Sequence, residues 1–276
     1  MLRYEYKYIV PNEQLGRLKQ LFSPYLELDG HAAKSGGEYT VRSIYFDTPQ
    51  MECYQQKIEG VKYRDKVRLR GYDEGSPGAT VFFEIKKKMG GPLLKHRSAL
   101  MFESANRLLE NSQPLETIDF GDKGGGKARE NASRFLYNLH ARKMQPVVTV
   151  IYDREPFHAL ARDKDNNLRI TFDKNLRAVA QPATSGLFDE PHIHPANKGH
   201  FILEIKFNRY LPSWVCAIVN SLGLKKTPAS KYVMCIEALP DLRQLKYQLK
   251  IPAMAVSNFK KVESRPIFIP GKLAYS

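Results

Sequence analysis

The chain has 276 residues, 42% of them hydrophobic, enough to bury a substantial core in one large domain or two small ones. Its formal net charge of +14 at pH 7 calls for an anionic partner: nucleic acid, a membrane surface or a phosphorylated molecule. Three scattered cysteines, Cys53, Cys216 and Cys235, exclude a disulfide framework and a cysteine-rich zinc site, and no apolar run approaches the roughly 20 residues that span a bilayer. We expect one cytoplasmic domain with a short tail, associated with a membrane only through a partner.

In chain order, RYEYKYIV alternates as a strand, and Asn12 and Glu13 open a helix with Leu15, Leu18, Leu21 and Phe22 on one face. The strands TVRSIYFDT, DKVRLRGYD and TVFFEIKKK follow. SANRLLEN and ENASRFLYNLHARK read as helices, then VVTVIYDREPF, LRITFD and HFILEIKF as strands. PSWVCAIVNSLGL reads as a helix that stops at Gly223 in a left-handed cap. Loops rich in Gly, Pro and Asp separate these segments, among them AQPATSGLFDEPHIHPANKG, long enough to be mobile. DLRQLKYQLK is a polar helix candidate leading into a proline-punctuated tail, so we divide the chain into a domain over 1–240 and an extension over 241–276. Without regular β-α-β alternation, the class is α+β with a mainly antiparallel sheet.

Side chains alternate between the faces of a strand, which puts Glu5 and Lys7 on one face and Tyr4, Tyr6 and Tyr8 on the other. Glu84 and Lys86 in FEIKKK, and Glu204 and Lys206 in LEIKF, repeat that arrangement. Lys66, Arg68 and Arg70 share a face, and Arg169 shares one with Thr171 and Asp173. A solvated sheet also has a charged face, but it would mix in Thr, Ser, Gln and Asn instead of repeating Glu with Lys or Arg. We therefore expect the sheet to close into an antiparallel barrel with the charged faces inward and helices outside. A lumen with that excess of cations needs an anion, and a run of phosphates suits it. The carboxylates would then hold the divalent metal of phosphate chemistry.

RYEYKYIV, VRSIYFDTP, KVRLRGY, FFEIKKK, IYDREPF, RITFD, FILEIKF and PASKY resemble, in this order, the motifs of VTC domains, the polyphosphate polymerase domains of the vacuolar transporter chaperone complex and their bacterial stand-alone relatives. The resemblance runs from about residue 1 to 240. It implies membership of the triphosphate tunnel metalloenzymes, a closed β-tunnel with outer helices, and ATP-dependent extension of polyphosphate with Mn or Mg. By the same resemblance, Lys7, Arg68, Arg70, Lys86, Arg154, Arg169 and Lys231 form the catalytic cation array. Lys95, Arg97, Lys206 and Ser230 add phosphate contacts, and Glu204 ligates the metal, helped by Glu84 or Glu5. The chain departs from the superfamily's E-x-E-x-K opening, with Arg3 at the first acidic position, which favours the VTC branch.

The implied partners are ATP and polyphosphate, with a membrane protein for export and no nucleic acid. A tripolyphosphatase or nucleoside triphosphatase of the same fold, and a non-catalytic binder of polyphosphate or inositol phosphates, are the alternatives. GDKGGGKA resembles a P-loop but has Ala128 where a Ser or Thr must reach magnesium, so we read it as a glycine loop. His192 and His194 read as a surface loop, Trp214 and Cys216 as core packing, and Asp47 and Thr48 as a turn.

Overall fold

The computed structural model describes residues 3–76, 78–89, 93–120, 125–160 and 165–242. The extension expected from residue 241 lies outside them apart from its first two residues. The predicted alternation is realised in a ten-stranded antiparallel sheet. Its strands are β1 (Tyr4–Pro11), β2 (Leu26–Leu28), β3 (Tyr39–Asp47), β4 (Tyr63–Tyr72), β5 (Thr80–Met89), β6 (Leu93–Met101), β7 (Gln145–Ala159), β8 (Arg169–Ala180), β9 (His194–Pro195) and β10 (His200–Phe207). The spatial order is β1-β10-β8-β7-β3-β4-β5-β6, with β2 paired to β7 and β9 to β8.

Helices cover the apolar outer face. Over one half lie α1 (Leu15–Phe22) and α6 (Ser213–Ser221), whose Leu18, Phe22 and Val215 pack against Phe172, Phe201 and Leu203. Gly223, at φ 62°, ends α6 as its position in the sequence predicts. Over the other half lie α4 (Phe102–Leu109) and α5 (Gly125–Ala141), with Phe135 stacked on Phe83 at 4.3 Å. Three short helices escape prediction: α2 (Gly30–Lys34), α3 (Glu52–Ile58) and α7 (Lys231–Ala238). With five and seven residues, α2 and α3 are too short for a 3.6-residue period to stand out, and α7 is buried on most sides, so no polar face marks it. Strand β6 is also unanticipated.

The inner face is only partly solvated. Its apolar end is filled by α7, whose Tyr232, Cys235 and Ile236 pack against Tyr45, Tyr152, Ala178 and Ile202. Asp47 joins this helix to the sheet. Fully buried at the end of β3, it accepts hydrogen bonds from the backbone N–H of Thr48, Cys53 and Tyr54 and from the Tyr232 hydroxyl. It thus caps α3 and anchors α7 through one carboxylate, well beyond the turn expected of it. The long loop between β8 and β10 is likewise anchored: Leu187 is fully buried and Glu190 pairs with Arg42 and Arg177.

The expected closed barrel is not formed. The ladder ends at β1 on one side and at β6 on the other, and the two edges do not pair. The inward faces of these edges carry Glu5 and Lys7 on β1 and Lys95 and Arg97 on β6, so closure would set three cations against one carboxylate. The sheet is nevertheless strongly curled, since Lys86 on β5 feels the charges of Lys206 on β10 and Glu5 on β1. The result is an open trough lined by the charged faces.

Candidate functional site

Register sets the first group of charges. Lys7 lies opposite Glu204, and Glu204 opposite Thr171, across β1, β10 and β8. Glu204, 4% exposed, meets Lys206 and Lys231 at 2.7 Å each, Lys7 at 3.2 Å and Arg154 at 3.5 Å. Asp173 takes Arg154 at 2.6 Å and Lys231 at 2.6 Å. Burial alone would raise the Glu204 carboxyl, but Lys206, Lys231 and Lys7 hold it well below the usual carboxylate range. Burial likewise opposes the charge on Lys231, which Asp173 and Glu204 more than restore. Glu5 is at the edge of this group, shared with Lys206 at 3.4 Å and Lys7 at 3.5 Å.

A second group surrounds Glu84 on β5. Arg68 donates to it through Nε at 2.8 Å and Nη2 at 2.6 Å, Lys95 approaches to 2.9 Å and Arg97 to 3.3 Å. Burial would raise this carboxyl too, yet Arg68, Arg70 and Lys95 keep it ionised far into acid. The third Arg68 nitrogen donates to the Tyr45 hydroxyl at 2.8 Å, and Arg70 donates to Ser43 at 3.0 Å. Lys66 donates to Ser230, at the start of α7, at 3.2 Å.

Lys86 has no carboxylate of its own within ion-pair distance among the described residues. Its ammonium lies amid Arg68, Arg70 and Lys206, and the Arg68 charge, followed by burial, pushes its pKa well down. Arg169 is at the rim, where its guanidinium reaches Asp29 at 3.4 Å. Its Nε, and the Thr171 hydroxyl beside Glu204, are buried without a hydrogen-bond partner among the described residues. Cations thus outnumber carboxylates along the trough, and two of its polar groups remain to be satisfied.

The eight matched motifs run through the same strands and the start of α7. A family model described as the VTC domain matches residues 2–240. The chain belongs to the VTC domain family. It is similar to vacuolar transporter chaperone complex subunit 4 of Schizosaccharomyces pombe (strain 972 / ATCC 24843), 25% identical over 231 residues, covering 72% of this chain and 32% of that protein. The same subunit of Trypanosoma brucei brucei (strain 927/4 GUTat10.1) is 24% identical over 230 residues, covering 72% of this chain and 28% of that protein. The chain therefore spans about a third of the length of the curated relatives it matches. No helix among the described residues is long and apolar enough to cross a membrane.

Within this VTC domain, the trough gathers the residues singled out from sequence as two carboxylate-centred groups, with Lys86 amid Arg68, Arg70 and Lys206, Ser230 beside Lys66, and Arg169 at one rim. Glu84 and Glu204 have separate sets of cations, so the three expected metal ligands do not form one cluster. Among the described residues no three His, Cys, Asp or Glu side chains are grouped to hold a metal by themselves. Any divalent ion at Glu204 would have to compete with the cations around it and draw most of its oxygen ligands from outside the protein. Asp173 and Tyr45 are members of the site that sequence reasoning missed. Asp173 shared the Arg169 face and could have been found there; nothing in the sequence marks Tyr45.

Proposed function

We propose that this domain is a metal-dependent polyphosphate polymerase that transfers the γ-phosphate of ATP to the end of a polyphosphate chain bound in the trough. The observation that carries this reading is the half-buried Lys86 among Arg68, Arg70 and Lys206, a cation cluster whose charge calls for a polyanion. Family membership and the similarity to chaperone-complex subunit 4 support it. The medium would be the cytoplasm, and the partner a membrane protein that exports the product.

Phosphoryl transfer requires little covalent work from a protein; positioning and charge stabilisation supply most of the catalysis. Lys7, Arg154 and Lys231, held in place by Glu204 and Asp173, would orient the donor triphosphate. Arg68 and Arg70, fixed by Glu84, Tyr45 and Ser43, would face the charge that builds on the transferring group. Arg169 would exchange its weak contact with Asp29 for a phosphate. A Mn or Mg ion, held by Glu204 with phosphate oxygens, would neutralise the phosphates and polarise the one in transfer. No residue need act as a covalent nucleophile, because the terminal phosphate of the polymer is the acceptor.

Purified protein incubated with labelled ATP, Mn or Mg and a short polyphosphate primer should release ADP and lengthen the polymer, and Glu204→Gln should abolish both. Free phosphate in place of polymer would make the protein a hydrolase, and binding without turnover would make it a polyphosphate receptor.

A further inference from the structure

At the rim of the trough, register puts Arg169 in one row with Lys206 and Glu5 on one side and His158 on the other. Thr171 and Glu204 form the next row inward, about 7 Å away. Asp29, the residue between β2 and α2, reaches the rim row with one oxygen. Its Oδ2 is 2.9 Å from His158 Nε2 and 3.4 Å from Arg169 Nη2, while Oδ1 accepts the His31 N–H at 2.9 Å and caps α2. The Asp29 N–H donates to the Pro156 carbonyl at 3.0 Å, which fixes its backbone.

The two arginine–aspartate pairs of the trough are built differently. Arg154 grips the wholly buried Asp173 through two nitrogens, at 2.6 and 2.8 Å. Arg169 meets Asp29 through one nitrogen, at a longer distance, on an oxygen that His158 already holds. Its side chain is 30% exposed, and its Nε has no hydrogen-bond partner among the described residues. Burial would raise the Asp29 carboxyl, but the His31 N–H, then His158, then Arg169 hold it below the usual range. Asp29 therefore keeps its charge and its place when Arg169 leaves.

We propose that Asp29 is a positioning residue that competes with phosphate for Arg169 and draws the guanidinium back to the rim when the phosphate leaves. This rests on the polyphosphate reading above and adds release to it. An incoming phosphate offers Arg169 a shorter, two-pronged contact through Nε and Nη2. The guanidinium turns toward the trough, and Asp29 stays on His158 and α2. Asp29 then stands near the bound phosphate as a carboxylate that has lost one of its cations. That arrangement favours the return swing and shortens the time a phosphate spends at the rim.

Asp29→Asn removes the charge but keeps a side chain that caps α2. In calorimetry on the full chain without nucleotide, this variant should bind tripolyphosphate about tenfold more tightly, and stopped-flow mixing should place the gain in slower dissociation. In an Arg169→Gln background the same substitution should change affinity by less than about twofold, a dependence that a purely structural role of Asp29 would not produce. A second measurement uses the unaltered protein. Its Arg169 Nε–H resonance, assigned by its absence from Arg169→Gln, should shift on addition of tripolyphosphate as this nitrogen gains a partner. Unchanged or weaker binding by a folded Asp29→Asn protein, a gain that persists without Arg169, or an Nε–H resonance that ignores the ligand would overturn the inference. If the unaltered protein bound no tripolyphosphate, the polyphosphate reading would fail with it; if it bound tripolyphosphate and Asp29→Asn brought no gain, only the role of Asp29 would fail.

Discussion

Arg154 and Asp173 face each other across β7 and β8 in a two-pronged ion pair, Nε to Oδ1 at 2.6 Å and Nη2 to Oδ2 at 2.8 Å. Asp173 has no exposed side-chain surface and also holds Lys231. Asp173→Ala leaves two buried cations without that partner, which should cost about 3–5 kcal/mol of stability. The trough becomes more positive, so tripolyphosphate affinity should hold or rise provided the fold survives. Thermal unfolding and calorimetry on the same sample would separate the two effects; affinity lost in step with stability would show that Asp173 shapes the phosphate site directly.

Lys86 should behave in the opposite sense. Its charge is opposed by Arg68, burial and Arg70, and so disfavours the empty protein. Lys86→Met should therefore stabilise the fold by about 1 kcal/mol while weakening tripolyphosphate binding by about tenfold, the trade expected at a functional site. A fall in melting temperature would contradict this account of Lys86.

Two groups titrate close to neutrality. Burial is the main influence on Lys66, which Lys7, Arg68 and Lys57 help to push down to about 8 despite the opposing Tyr45. Burial would raise the Tyr45 phenol, but Arg68, Lys66 and Arg70 bring it to about 8. As pH rises through about 8 the trough loses a positive charge and gains a negative one, so phosphate affinity should drop. Stability should move the other way. Between about 8 and the ordinary values of 10.5 and 10.0 the unfolded chain binds more protons than the folded one, so folding becomes more favourable as pH rises. Calorimetric titrations from about pH 7 to pH 9.5 should show the drop in affinity, with Lys66→Gln and Tyr45→Phe each removing part of it; a flat profile in the unaltered protein would refute the assignment.

The Tyr232 hydroxyl donates to Asp47 at 2.6 Å in a buried site. Tyr232→Phe should cost about 1–2 kcal/mol and Asp47→Ala about 3 kcal/mol or more, because the latter also strands the N–H groups of Cys53 and Tyr54 at the start of α3. The double variant should fall short of the sum, and chemical denaturation would measure that coupling. Lys231 adjoins Tyr232, so both variants should also weaken phosphate binding. Full additivity would mean that α7 is held by its apolar packing alone.

The sequence determined which face of each strand is charged, because alternation depends only on backbone geometry and survives any tertiary arrangement. It placed Glu5 with Lys7, Glu84 with Lys86 and Glu204 with Lys206 before any fold was known, and it placed the end of α6 at Gly223. It demoted a P-loop, but the glycine loop expected in its place is not what forms: the described part of GDKGGGKA, Gly125 to Ala128, is the first turn of α5. His192 is a turn residue at φ 49°, and His194 pairs with Ala178. Only the tertiary structure decided that Glu204 takes Lys231 from a helix while Glu84 takes Arg68 and Lys95 from neighbouring strands, that Asp173 and Tyr45 complete the site, and that the sheet stays open between β1 and β6. Those outcomes depend on register, curvature and the charges that meet when distant strands approach, quantities that no local pattern encodes.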